Sequence, residues 1–181
     1  HFYQKVSPFY YFPLCMKISL DMMGGDYAPK EAVNGLKKYL NHFKKEGTII
    51  QLLGQIPAIE AALAEAGVAH ERLEIVDCPD VIGYHDHPVK ALKSKPQSSI
   101  AVGFSLLASG QTDAFISAGN TGAMMVGSMF SLKLSAGVLR PTIGTIIPRE
   151  GGKTGLLVDV GINSDCKPEN LIQFGILGSI Y

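Results

Sequence analysis

The sequence predicts an α/β protein with three αβα layers, a mainly parallel sheet with helices on both faces. Three observations carry this. Short apolar runs bounded by turn residues alternate with longer amphipathic segments along the 181 residues. Twenty of those residues are glycine, about 11% against roughly 7% in average proteins, an excess that many strand-to-helix turns would use. Polar loops follow the strands, where ligands bind in such folds.

The first strand is KISLD, residues 17–21, followed by a glycine-rich loop over 22–29 and a helix over about 30–45. A second strand, 48–53, ends at Gly54. Pro57 suits a helix start, and AIEAALAEAG closes with Gly67 as its C-terminal cap. Residues 73–76 form a third strand, and Pro88 opens a short helix carrying Lys90, Lys93 and Lys95. Ser98-Ser99 caps the next helix, which ends near Gly110. The strand DAFIS then runs through Ala118-Gly119-Asn120-Thr121-Gly122 into a helix over roughly 121–134. Two apolar runs, 142–148 and 154–160, suit buried strands, and Pro168 opens a last helix reaching Tyr181.

Residues 1–15 (HFYQKVSPFYYFPLC) are aromatic, carry two prolines and lack the basic start and apolar stretch of a signal peptide. Met16 reads as the natural start, and the leader 1–15 as non-native or flexible sequence. No stretch is apolar enough to span a bilayer, since 121–139 is broken by Lys133, glycines and serines. The end at Tyr181, without a closing strand, suggests a truncated protein. A formal net charge of zero offers no basic field for nucleic acid. Cys15, Cys78 and Cys166 form no C-x-x-C pair and fit a reducing cytoplasm.

The turn at 118–122 is the most informative segment. Small residues let a ligand approach the backbone, and the helix start offers unpaired N–H groups and the positive dipole end to an anion such as phosphate. The plainer alternative is a tight turn that only packs helix on sheet. The loop Asp21-Met-Met-Gly-Gly-Asp26 sets two carboxylates around a Gly-Gly turn, where turn chemistry alone would also explain it. The loop from Asp159 to Pro168 gathers Asp159, Asn163, Asp165 and Lys167 after an apolar strand, a cluster more often functional than structural.

Other motifs fall short. His85-Asp86-His87 with Cys78 lacks a fourth ligand, so no metal is expected. Gly151-Gly152-Lys153-Thr154 mimics the end of a phosphate-binding P-loop, but Ile147 stands where its first glycine should be. It reads as a hairpin or connector turn. Met124, Met125 and Met129 read as core packing, with an apolar acyl groove as the sharper alternative. Lys90 and Lys93 read as a solvated face that could also dock an acidic partner. Neither a dinucleotide fingerprint nor a G-x-S-x-G elbow is present.

Four stretches together, LDMMGGDYAP, KSKPQSSIAVG, DAFISAGNTGAMM and LLVDVGINSDCKPENLIQFGILGSIY, resemble the PlsX family of phosphate acyltransferases in order and spacing from Met16 to Tyr181. The family's first motif usually reads DAMGGDHAP. Met22 and Tyr27 replace its alanine and histidine here, so no role of that histidine is carried over.

The resemblance implies a fold similar to the isocitrate dehydrogenase and phosphate acetyltransferase group, with residues 16–181 as the N-terminal part. It implies transfer of a fatty acyl group from acyl carrier protein to inorganic phosphate, giving acyl phosphate for phospholipid synthesis, without a cofactor. It also implies cytoplasmic homodimers that can associate with the membrane. Phosphate is already anionic at neutral pH, so no covalent nucleophile is needed, and the protein must hold it and stabilise the oxyanion.

The expected catalytic residues are Asn120 and Lys167, which offset charge or donate, and Asp26 and Asp165, which orient donors or accept a proton. Substrate binding is expected from Gly24, Gly25, Ser117, Gly119, Thr121, Gly122, Asp159 and Asn163. An alanine at Asn120 is expected to lower turnover and spare the fold. The alternatives are a phosphate acetyltransferase-like enzyme using acyl-CoA, a nucleotide-using dehydrogenase relative, and an inactive fragment that only dimerises or binds a partner. The 181-residue chain alone is expected to be inactive or very weak.

Overall fold

The computed structural model describes residues 16–43, 47–69, 71–132, 134–163 and 165–181. The leader expected over 1–15 lies outside the described residues. Four parallel strands form the main sheet: β1 (Lys17–Asp21), β2 (Ile49–Gly54), β3 (Leu73–Asp77) and β4 (Ala114–Ile116). Their order is β3-β2-β1-β4. The chain steps outward from β1 to β3, then returns to set β4 on the other side of β1. In open α/β sheets a ligand crevice forms where the strand order reverses in this way. Here that point lies between the carboxyl ends of β1 and β4, where Leu20 pairs with Ile116.

Two apolar clusters cover the sheet. In α1 (Lys30–His42), Val33, Leu36 and Leu40 recur at helical spacing and are buried with Ile59 of α2 (Ile56–Ala66) and Ile50 and Leu52 of β2. The second cluster joins Ala91 of α3 (Pro88–Ser94), Ile100 and Phe104 of α4 (Ser99–Ala108) and Ala123 of α5 (Thr121–Ser131). Phe104 meets Phe115 of β4 edge-on, with ring centroids 5.3 Å apart. The helix ends follow the expected punctuation. Ser98 caps α4 by accepting from Ala101 N at 3.3 Å, and Gly67 closes α2 in the left-handed region at φ 62°. The helix α5 is shorter than expected, since it ends at Ser131.

The last third departs from the expected parallel sheet. The runs expected as buried strands form an antiparallel hairpin, β5 (Gly144–Pro148) and β6 (Thr154–Val158). The connection 149–153 is far shorter than the dozen or so residues a parallel crossover needs, so only antiparallel pairing is open to it. The expected turn at 151–154 makes the hairpin connection. Every residue of β5 is exposed, Ile146 at 62%. The helix α6 (Pro168–Ile180) lies on β6 so closely that a Cβ on Gly178 would come 3.0 Å from Val158 Cγ2. No helix among the described residues is long and apolar enough to cross a membrane.

Candidate functional site

Two of the three polar loops meet at the carboxyl ends of β1 and β4. Asp21 closes β1 and is only 2% exposed. Its Oδ1 accepts from the backbone N–H of Met23 at 2.9 Å and Gly24 at 3.1 Å. Its Oδ2 accepts from Ser117 Oγ at 2.7 Å, and Ser117 Oγ accepts in turn from Gly119 N at 3.0 Å. The backbones touch where the loops cross: a Cβ on Gly24 would stand 2.6 Å from Gly119 N. Only glycine fits there. The loops border a cleft of about 350 Å³ lined by Gly24, Gly25, Asp26, Tyr27, Ser117 and Ala118 among others.

The structure thus brings Gly24, Gly25, Asp26 and Ser117 together, with Gly119 against them. Asp26 and Tyr27 are exposed at the rim. The sequence reading omitted Asp21 as a site residue. An aspartate ending a strand before Gly-Gly was its available signal, and ordinary turn chemistry masked it.

Asn120 is occupied. It is the N-cap of α5, and its Oδ1 accepts from Ala123 N at 2.9 Å. Its Nδ2 donates to the carbonyls of Gly83 at 3.0 Å, Tyr84 at 3.3 Å and Asp86 at 3.2 Å. The side chain expected to donate to a ligand instead ties loop 83–86 to the helix start. The same loop is held by Tyr84 Oη, which donates to Ala118 O at 3.1 Å, and by Asp86, whose Oδ2 takes Lys95 Nζ at 2.5 Å. Lys95, first among its causes, holds the Asp86 carboxyl below its usual range, with Gly83 N–H adding to it. Gly122 lies against Pro88, so α3 and α5 start side by side.

Thr121 and Gly122, at the first turn of α5, have no partner for their N–H groups among the described residues.

The third loop lies elsewhere. Asp159, Asn163, Asp165 and Lys167 follow β6, on the hairpin and not on the main sheet. Among the described residues no hydrogen bond joins them to either glycine loop. Asp159 adopts φ 62°, and its Oδ1 accepts from Asn163 N at 3.3 Å and Nδ2 at 3.0 Å. Arg140 donates to the Asp165 carbonyl at 2.9 Å. Lys167 caps α6, its N–H on Asn170 Oδ1 at 3.0 Å, with an exposed side chain. The placement of this loop at the sheet's carboxyl edge is therefore corrected, because β6 pairs with β5 and not with β4.

The two described thiols, Cys78 and Cys166, are unsuited to nucleophilic work. Burial, followed by Asp77 and Asp21, pushes Cys78 up to about 12, and burial and Asp159 raise Cys166. Among the described residues no three His, Cys, Asp or Glu side chains gather to hold a metal ion. Met124 packs on the second apolar cluster, and Met129 is exposed. A larger concavity of about 440 Å³ between β6 and α6 is lined by Leu156, Val158, Leu171 and Phe174, with Asp159 its one titratable side chain.

The profile of the family described as fatty acid synthesis protein matches residues 16–181. The chain is 43% identical over 166 residues to a phosphate acyltransferase of Caldanaerobacter subterraneus subsp. tengcongensis, covering 92% of this chain and 48% of that protein. It is 45% identical over 168 residues to a phosphate acyltransferase of Heliobacterium modesticaldum, covering 92% and 49%. The chain spans about half the length of the curated relatives it matches. Among solved structures, a phosphotransacetylase from Streptococcus pyogenes superposes with a TM-score of 0.63 at 20% identity, covering 89% of this chain and 51% of that one. That likeness shows a shared fold.

Proposed function

The chain belongs to the fatty acid synthesis protein family, and from that premise we propose that the enzyme it forms transfers a fatty acyl group from acyl carrier protein to inorganic phosphate. The observation that carries the reading is the crossing of two glycine loops at the strand-order reversal, next to the first turn of α5, where the Thr121 and Gly122 N–H groups have no protein acceptor among the described residues. Curated relatives named phosphate acyltransferase support phosphate as acceptor.

In the reaction a phosphate oxygen attacks the thioester carbonyl, the C–O bond forms, the C–S bond breaks, and the thiolate takes the electron pair. The protein holds the phosphate and the developing oxyanion with backbone N–H groups. Gly25, Thr121 and Gly122 supply them in this reading, and Asp26 at the rim orients the acceptor or takes its proton. Lys167, Asp159, Asn163 and Asp165 would join only if their loop reached the cleft.

The 181-residue chain alone is expected to turn over weakly, because β5 and α6 leave apolar faces uncovered and the third loop stands apart. Acyl carrier protein as donor, a homodimer, a cytoplasmic place with membrane association, and a role in phospholipid synthesis rest on the resemblance of the four motifs.

The test is acyl phosphate formation, trapped with hydroxylamine, by the full-length enzyme given acyl-acyl carrier protein or acyl-CoA. Faster turnover of the carrier-bound substrate, dependent on phosphate, is expected. Preference for acyl-CoA would favour the phosphate acetyltransferase-like alternative. Turnover that ignores phosphate would refute both.

A further inference from the structure

Asp21 ends β1 and Ser117 directly follows β4, the two strands that flank the strand-order reversal. The Asp21 carboxylate is buried, and no cation pairs with it among the described residues. Three donors meet its charge instead: the N–H groups of Met23 and Gly24 and the Ser117 hydroxyl. A carboxylate can only accept, so the 2.7 Å contact commits the single Ser117 proton to Asp21. Ser117 Oγ must then turn a lone pair outward, and Gly119 N–H meets it at 3.0 Å. A fixed order of polarity therefore runs from the first loop through a side chain into the second.

This order decides which amides are spent. Met23, Gly24 and Gly119 donate within the latch. The N–H groups of Gly25, Asp26 and Tyr27, and of Asn120, Thr121 and Gly122, have no protein acceptor among the described residues. Each run begins beside the contact between Gly24 and Gly119.

We infer that Asp21 and Ser117 are positioning residues for the phosphate acceptor, holding the two loops in the register that leaves free the amides that follow Gly24 and Gly119 on either side of their contact. This rests on the reading of the cleft as the phosphate site. Neither side chain touches the phosphate; they act through the backbone.

The test varies phosphate and acyl thioester separately in the full-length enzyme. Ser117→Ala strands the Gly119 N–H and one Asp21 oxygen. It is expected to raise the KM for phosphate by about tenfold or more, the size of one lost charge-assisted hydrogen bond, and to change that for the thioester by less than about threefold. Ser117→Thr keeps the hydroxyl and is expected to return the phosphate KM to within about threefold of wild type. Asp21→Asn keeps the shape but no longer commits the Ser117 proton, and is expected to fall between.

A Ser117→Ala enzyme that melts lower yet keeps its phosphate KM would overturn the inference, as would Ser117→Thr performing no better than alanine. If Ser117→Ala does not fold, Asp21→Asn decides: a wild-type phosphate KM in that variant overturns it. These outcomes require a phosphate-dependent wild type. A wild type indifferent to phosphate refutes the reading of the cleft, and this inference with it.

Discussion

Replacing Asn120 by alanine is expected to loosen the protein, reversing the expectation that the change would spare the fold. The residue is 6% exposed, so water cannot readily replace what its carboxamide does. Loss of the N-cap bond to Ala123 N costs about 1 kcal/mol, within a range of roughly 0.5–2. The two amide hydrogens serve three carbonyls, so they count as two bonds at most, each about 0.5–1.5 kcal/mol net. The total is about 3 kcal/mol, which lowers the melting temperature by about 6–12 °C for a chain of this size.

Asn120→Ser separates the parts, since serine can cap the helix but cannot reach loop 83–86, and should recover about 1 kcal/mol. Thermal and urea melts followed by circular dichroism measure both variants. Turnover well below the melt should fall far less than a lost transition-state donor would demand, because the side chain faces the loop and not the cleft. An Asn120→Ala melt within about 1 °C of wild type would refute the argument. So would full rescue by serine, which would make the loop bonds worthless.

Three further outcomes follow from the same geometry. Gly24→Ala places a methyl 2.6 Å from Gly119 N and from Asp21 Oδ2, so it should destabilise by about 1–3 kcal/mol or more and weaken phosphate binding. Wild-type melting and phosphate KM in that variant would mean that the loops part freely. Cys78, raised to about 12, should resist iodoacetamide at pH 8 in the folded protein and react once urea exposes it. Rapid native labelling, read by mass spectrometry on its peptide, would contradict this. Asp86 is held below its ordinary value of 3.8 chiefly by Lys95, so its contribution is present above the unfolded value and lost as pH falls through the lower folded one. Asp86→Asn should therefore flatten the fall in stability below about pH 4, and an unchanged acid slope would count against the pair.

The first two thirds of the fold were legible because several signals agreed. Val33, Leu36 and Leu40 gave helical period, Pro57, Ser98 and Gly67 gave the ends, and a strand such as IIQLL, apolar but for Gln51, could only be buried. The last third was not, because an apolar run carries no direction. TIIP and TGLLV read equally well as parallel or antiparallel strands. The length of 149–153 is the one discriminating signal, and of the two readings of its turn, hairpin or connector, only the hairpin carries a direction, the antiparallel one that the structure shows.

The site shows where residue type stops being informative. The sequence singled out Asn120, Ser117 and the glycines as groups able to donate or to yield space. It could not show that Asn120 spends its hydrogens on Gly83, Tyr84 and Asp86, or that Gly119 N–H is taken by Ser117, because those partners lie about 35 residues away or depend on a hydroxyl's orientation. A donor already satisfied in the folded chain is poor at receiving a ligand, since the exchange gains only the difference between two hydrogen bonds. On the proposed reading, the groups left for phosphate are backbone amides of Gly25 to Tyr27 and of Thr121 and Gly122, which every residue type but proline could supply. What the sequence specifies is their arrangement, through Asp21, Ser117 and the single missing Cβ at Gly24.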